Sequence, residues 1–172
     1  PEAAANARGR AIVNFVGIED DEKVVAFALV DNFDEGKFIV TLTRKGQIKK
    51  TSVHEYRNYR QTGLIGVRID EGDELLTAMV TDGECELLIA TRGGMAIRFN
   101  ESDVRSMGRA TRGVKSIDLR SDDVVVGMGV YHQGDRRDRV LTVSELGYGK
   151  QTPIEDFRLQ SRGGKGVILI AT

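Results

Sequence analysis

Apolar residues enter this chain in short bursts and never in the rhythm of a helix. Three half-apolar runs, Phe38-Ile39-Val40-Thr41-Leu42-Thr43, Leu87-Leu88-Ile89-Ala90-Thr91 and Val140-Leu141-Thr142-Val143, are each followed by a glycine and a polar stretch. Those stretches are Gly46-Gln47-Ile48-Lys49-Lys50-Thr51, Gly94-Met95-Ala96-Ile97-Arg98-Phe99 and Gly147-Tyr148-Gly149-Lys150-Gln151-Thr152. Short β-branched runs bounded by Gly and Asp predict strands, and no window of about 11 residues carries a 3.6-residue apolar period. Three more continuous runs, Val24-Val25-Ala26-Phe27-Ala28-Leu29-Val30, Leu75-Leu76-Thr77-Ala78-Met79-Val80 and Val124-Val125-Val126-Gly127-Met128-Gly129-Val130, predict strands buried on both faces. Single helical turns are predicted at residues 52–56, 102–105 and 153–157.

The pattern repeats. The strand–glycine–polar unit returns about every fifty residues, and a second set of anchors, Gly9, Gly63, Gly113 and Gly166, returns at the same spacing, each just ahead of an apolar strand. The chain therefore divides into repeats at approximately 9–62, 63–112 and 113–165, with the start of a fourth at 166–172. Four strands per repeat is the size of a propeller blade. The expected fold is all-β, a single partial β-propeller-like domain over 1–172 with three full repeats. On that placement the polar strands, Gln47-Ile48-Lys49-Lys50 among them, belong at the rim and carry their cations outward. Because each repeat leans on its neighbours, a three-blade piece is expected to leave two exposed flanks.

Composition narrows the classes. Hydrophobic residues at 40% and charged residues at 30% suit a folded domain, and no apolar run approaches a membrane span. The N-terminus lacks a signal-peptide pattern, a start at Pro1 reads as a piece cut from a longer chain, and a reducing cytoplasm fits. Cys85 reads as a small apolar strand residue, and His54 and His132 as surface or turn residues. A lone cysteine with two histidines offers no zinc-ligand spacing, so neither metal nor cofactor is expected. No nucleophile, base and orienting group can be assembled, which argues against a hydrolase.

A net charge of −1 is unlike a strongly basic nucleic-acid binder, but the charges are segregated. Acidic residues crowd into Glu19-Asp20-Asp21-Glu22, Asp70-Glu71-Gly72-Asp73-Glu74 and Asp122-Asp123, which read as solvated loop ends. Cations gather elsewhere, at Arg44, Lys45, Lys49, Lys50, Arg92, Arg98, Arg105, Arg109, Arg112, Lys115, Lys150, Arg158, Arg162 and Lys165. Recurring at equivalent repeat positions, they are the candidate contacts to DNA phosphates, through backbone and shape and not through base readout. The richest stretch is Gln160-Ser161-Arg162-Gly163-Gly164-Lys165-Gly166, whose glycines serve either tight turns or close approach to an anion. It lacks nucleotide-loop spacing, since Gly166 stands where Ser or Thr should follow Lys165.

With the junctions Ala7-Arg8-Gly9-Arg10-Ala11-Ile12-Val13-Asn14, Glu71-Gly72-Asp73-Glu74-Leu75, Val104-Arg105-Ser106-Met107-Gly108 and Gly147-Tyr148-Gly149-Lys150, the chain resembles the C-terminal domain of the DNA gyrase A protein over essentially its whole length. The resemblance implies a six-bladed β-pinwheel whose blades exchange strands and whose basic edge wraps double-stranded DNA. It further implies a non-catalytic module that supports negative supercoiling, and its partners would be the remainder of gyrase A and the ATPase subunit. The family's diagnostic box reads Gln-Arg-Arg-Gly-Gly-Lys-Gly in the first blade. Here Ser161 replaces the first arginine and the stretch follows three repeats, so 160–166 reads as a later-blade counterpart. The related topoisomerase IV subunit, with degenerate boxes, is an alternative parent, and a propeller fragment that binds protein is a second alternative.

Overall fold

The computed structural model describes residues 5, 7–19, 22–33, 36–60, 63–132, 134 and 139–171. Asp20 and Asp21 of the first acidic turn lie outside them. Among the described residues ten strands appear in chain order: β1 (Phe38–Thr43), β2 (Gln47–Ser52), β3 (Leu75–Thr81), β4 (Glu86–Thr91), β5 (Met95–Asn100), β6 (Val114–Lys115), β7 (Val125–Tyr131), β8 (Arg139–Val143), β9 (Gly149–Pro153) and β10 (Val167–Ile168). The sheets run β3-β1-β2-β6, β10-β5-β4-β7 and β8-β9, and every paired strand is antiparallel. The predicted helical turns are 3₁₀ turns at Val53–Tyr56, Glu101–Asp103 and Ile154–Asp156.

The fold is the all-β, propeller-like one that the period predicts, but a blade is not one repeat folded on itself. The β1–β2 hairpin takes its inner strand, β3, from the next repeat and its short outer strand, β6, from the repeat after that. The β4–β5 hairpin does the same with β7 and β10. Each blade is thus completed by chain that lies far downstream, which is strand exchange.

Backbone contacts repeat with the blades. Ser116 N–H donates to the Gly46 carbonyl and Leu169 N–H to the Gly94 carbonyl, both at 2.8 Å. The anchor glycines have a packing reason. A Cβ on Gly113 would lie 2.6 Å from the Ile48 carbonyl oxygen, and one on Gly166 closer still to that of Ala96. Only glycine lets the outer strand lie against the strand beneath it.

The placement of apolar runs differs from expectation. The continuous runs that became β3 and β7 are mostly half-buried inner edges, whereas the half-apolar β4 is almost wholly buried because strands flank it on both sides. The core is built on Val40, Leu42, Ile48, Leu87, Ile89, Ile97, Phe99, Val104, Ile117 and Val125. Residues 24–30 are not a strand, and Phe27 and Leu29 are 80% and 85% exposed. The β8–β9 hairpin has neither inner nor outer partner among the described residues and leaves Leu141 and Val143 exposed.

Candidate nucleic-acid interface

The outer edge of each complete blade is one continuous segment. It begins where Ser106 bridges Lys50 in parallel, or Leu159 bridges Arg98, and ends in β6 or β10. Residues 105–115 and 158–168 therefore occupy the same place on successive blades. Arg105 matches Arg158, Arg109 matches Arg162, and Arg112 matches Lys165. The stretch 160–166 is the outer-edge segment of the second blade. Gln160 N–H donates to the Arg98 carbonyl at 2.8 Å, Gly163 N–H to the Ser116 carbonyl at 2.8 Å, and the Gly164 carbonyl accepts from Asp118 N–H at 2.8 Å. Gly163 and Gly166 are left-handed, at φ 82° and 76°, so their turn role is structural; Ser161 is exposed.

The fourteen candidate cations separate into four groups. Arg105, Arg112, Lys115, Arg158 and Lys165 are exposed along the outer segments. Arg112 pairs with Asp70 at 3.0 Å and Lys115 with Asp118 at 2.8 Å, an interaction that holds the Asp118 carboxyl below its usual range. Arg105 and Arg158 have no ion-pair partner among the described residues. Lys150 is exposed on β9.

Arg109 and Arg162 bind protein. The Arg109 guanidinium donates to the Ile65 carbonyl at 3.3 Å, and Arg162 donates to the Lys115 carbonyl and to the Asp103 carbonyl at 3.2 Å. Ile65 and Lys115 each stand two residues after an anchor glycine, so both arginines stitch one rim segment to the preceding one.

Lys49, Lys50 and Arg98 are inside, which corrects the rim placement of the polar strands: the outer-edge segments that lead into β6 and β10 lie against them, through Arg109 at Lys49, Ser106 at Lys50 and Leu159 at Arg98. Lys49 is 1% exposed and donates to the carbonyls of Gly66 and Arg109. Burial, then the Arg109 charge, partly offset by Glu55, lowers its pKa to about 8. Lys50, 6% exposed, pairs with the fully buried Glu101 at 3.7 Å. Arg98 binds Glu86 and donates to the carbonyls of Ile154 and Phe157, both at 3.0 Å. Lys50 donates likewise to the Glu101 carbonyl at 3.3 Å, so in each of the two complete blades a strand cation holds the 3₁₀ turn of the following blade.

Arg44, Lys45 and Arg92 sit in hairpin turns that dock on the acidic turns. Asp73 Oδ1 accepts Lys45 N–H at 2.9 Å and Glu74 N–H at 2.8 Å; Asp123 Oδ1 accepts Gly93 N–H and Val124 N–H, both at 2.8 Å. Arg44 pairs with Glu74 at 3.2 Å, and Arg92 donates to the Asp122 carbonyl at 2.6 Å. Burial pushes the Asp123 carboxyl up, yet hydrogen bonds from Thr91, Gly93 and Val124 together hold it below its usual range. These acidic residues are braces, where solvated loop ends were expected.

One grouping gives no sign along the sequence. Asp82, Cys85 and His132 converge at the β3–β4 connection and the end of β7, with donor atoms within 4.8 Å of one another. Cys85 and His132 are far apart in sequence. They meet because β7 pairs with β4, Glu86 opposite Tyr131. Burial, and next the hydrogen bond to Asp82, push the Cys85 thiol up to about 12.

Blades that borrow strands from following repeats, with a recurrent basic outer segment, define a β-pinwheel of the propeller class. The chain belongs to the family described as the DNA gyrase C-terminal domain, beta-propeller, whose model matches residues 1–31, 37–82, 86–131 and 138–172. It is 43% identical over 176 residues to the DNA gyrase A protein of Haloquadratum walsbyi, and 42% identical over 168 residues to that of Lawsonia intracellularis. Those matches take in 100% and 98% of this chain but only 20% of each relative, so the chain spans about a fifth of their length. Among solved structures, a DNA topoisomerase IV C-terminal domain superposes with a TM-score of 0.85 at 27% identity, over 93% of this chain and 49% of that one. No helix of the described residues is long and apolar enough to cross a membrane.

Proposed function

We propose that this chain is a DNA-binding and DNA-wrapping module of a DNA gyrase A protein, without catalysis of its own, that supports negative supercoiling by the parent enzyme in the cytoplasm. Its partners are then double-stranded DNA, the remainder of gyrase A and the ATPase subunit. The observation that carries this reading is the exposed cation set Arg105, Arg112, Arg158 and Lys165, at equivalent places on the outer edges of two successive blades. A duplex laid along that edge meets positive charge at each blade, and each phosphate neutralised releases counterions. Lys115 and Lys150 extend the set, whereas the buried and docked cations serve the fold. Membership of the gyrase family and 43% identity to a gyrase A protein favour that parent over topoisomerase IV.

The test is duplex affinity across salt. Wild type should bind with a log–log slope of about −0.9 per phosphate contact. The pair Arg105→Glu and Arg158→Glu should lower affinity at every sequence tested and flatten the slope by about two contacts. No binding at low salt, or a slope untouched by this pair, defeats the proposal.

A further inference from the structure

We propose that Asp82, Cys85 and His132 form a binding site for one divalent transition cation of the zinc type, with the fourth coordination position open to solvent. The donor set is the first argument. One thiol, one imidazole and one carboxylate make a mixed S/N/O set that suits zinc or cobalt, whereas magnesium and calcium take oxygen ligands.

The spacing is the second. Zinc lies about 2.3 Å from sulfur, about 2.0–2.1 Å from imidazole nitrogen and about 2.0–2.2 Å from carboxylate oxygen, so tetrahedral donors lie about 3.3–3.6 Å apart. Here Cys85 Sγ is 3.0 Å from Asp82 Oδ1 and 3.9 Å from His132 Nδ1, which is 3.5 Å from Asp82 Oδ2. With one ligand atom from each residue the three lie within 4.8 Å of one another, and side-chain rotations bring them to the separations that one ion requires.

Access is the third argument. The side chains of Asp82 and His132 are 51% and 74% exposed, so an ion can enter from solvent and keep a water, while Cys85 closes the site from beneath. Binding displaces the thiol proton to solvent and leaves a metal-bound thiolate, so one proton is released for each ion taken up at Cys85. The bound ion would tie the connection leading into β4 to the end of β7. Residue 32, which stands where Asp82 and His132 do in their repeats, is asparagine, so the donor set does not recur with the blades.

Titrating Co²⁺ into the 172-residue chain, in buffer without thiol reductant, reads the site directly. The expected result is a thiolate-to-cobalt charge-transfer band that saturates at one equivalent and is displaced by Zn²⁺. Cys85→Ser should abolish the band. His132→Ala, at an exposed position that leaves the fold intact, should weaken binding at least tenfold, and His54→Ala should leave it unchanged. Zn²⁺ should raise the melting temperature of wild type and not that of Cys85→Ser. Absence of the band in wild type, an undiminished band in either ligand variant, or equal loss in His54→Ala overturns the proposal.

Discussion

Replacing Lys50 by methionine separates a DNA contact from an internal strut more sharply than any other single change. Methionine keeps much of the aliphatic stem, so the main loss is the ammonium group, which lies 3.7 Å from Glu101 Oε1, 3.3 Å from the Glu101 carbonyl and 4.9 Å from the Phe38 ring centroid. Glu101 is fully buried. Without Lys50 its carboxylate keeps, among the described residues, the Thr81 hydroxyl at 2.7 Å and the Cys85 N–H at 3.4 Å. Breaking a buried pair from one side costs about 3–5 kcal/mol, because the remaining charge loses its partner and not its desolvation. For a domain of this size that is a fall in melting temperature of about 6–20 °C.

The assay is urea unfolding of wild type, Lys50→Met, Glu101→Gln and the double variant. The double variant should recover more than half of the Lys50→Met loss, since no unpaired charge is left. Duplex binding, measured well below the melting transition, should keep its wild-type salt slope. If Lys50→Met is as stable as wild type while its salt slope drops by about one contact, Lys50 reaches phosphate and the burial argument fails.

Lys49 predicts a pH effect of definite sign. Its folded pKa of about 8 lies below the ordinary value of 10.5, so the unfolded chain binds more protons between them and stability rises with pH across that window. The stability difference between wild type and Lys49→Met should change in wild type's favour from pH 8 to 10, and a flat difference would refute it. Gly63→Ala and Gly166→Ala share a native φ of 76°, but only at Gly166 would the new Cβ strike backbone, at Ala96. Gly63→Ala should cost about 1–2 kcal/mol and Gly166→Ala clearly more; equal losses in urea unfolding would remove the close-packing account of the anchor glycines. Asp122 is left-handed at φ 62° where its counterpart Gly72 is at 70°, so Asp122→Gly should stabilise by up to about 1 kcal/mol in the same assay, and destabilisation would count against strain there.

What the sequence revealed depended on whether the determining contact was local. Hairpins and 3₁₀ turns were legible because the residues that specify them, such as the turn glycines Gly46 and Gly94, lie within or beside them. The period was legible for the same reason, since the anchor glycines mark every repeat. Strand exchange was legible only through the family resemblance and not from the residue pattern, because the partner of β6 lies two repeats upstream and nothing around Val114 names Ile48 as its opposite. The interface inherited that blindness. Lys49 and Lys50 look like rim residues when β2 is read alone, and become interior once the outer-edge segment ahead of β6, with Ser106 and Arg109, closes over them. Arg109 and Arg162 look like phosphate ligands until the carbonyls of Ile65 and Lys115 arrive beside them. The same logic explains the acidic turns: Asp73 and Asp123 meet the hairpin turns of Lys45 and Gly93 only through the inner-strand pairing that strand exchange creates. Much of the charge in these repeats therefore closes the blades, and the cations left on the outer edge, Arg105 and Arg158 foremost, are those that the fold does not use.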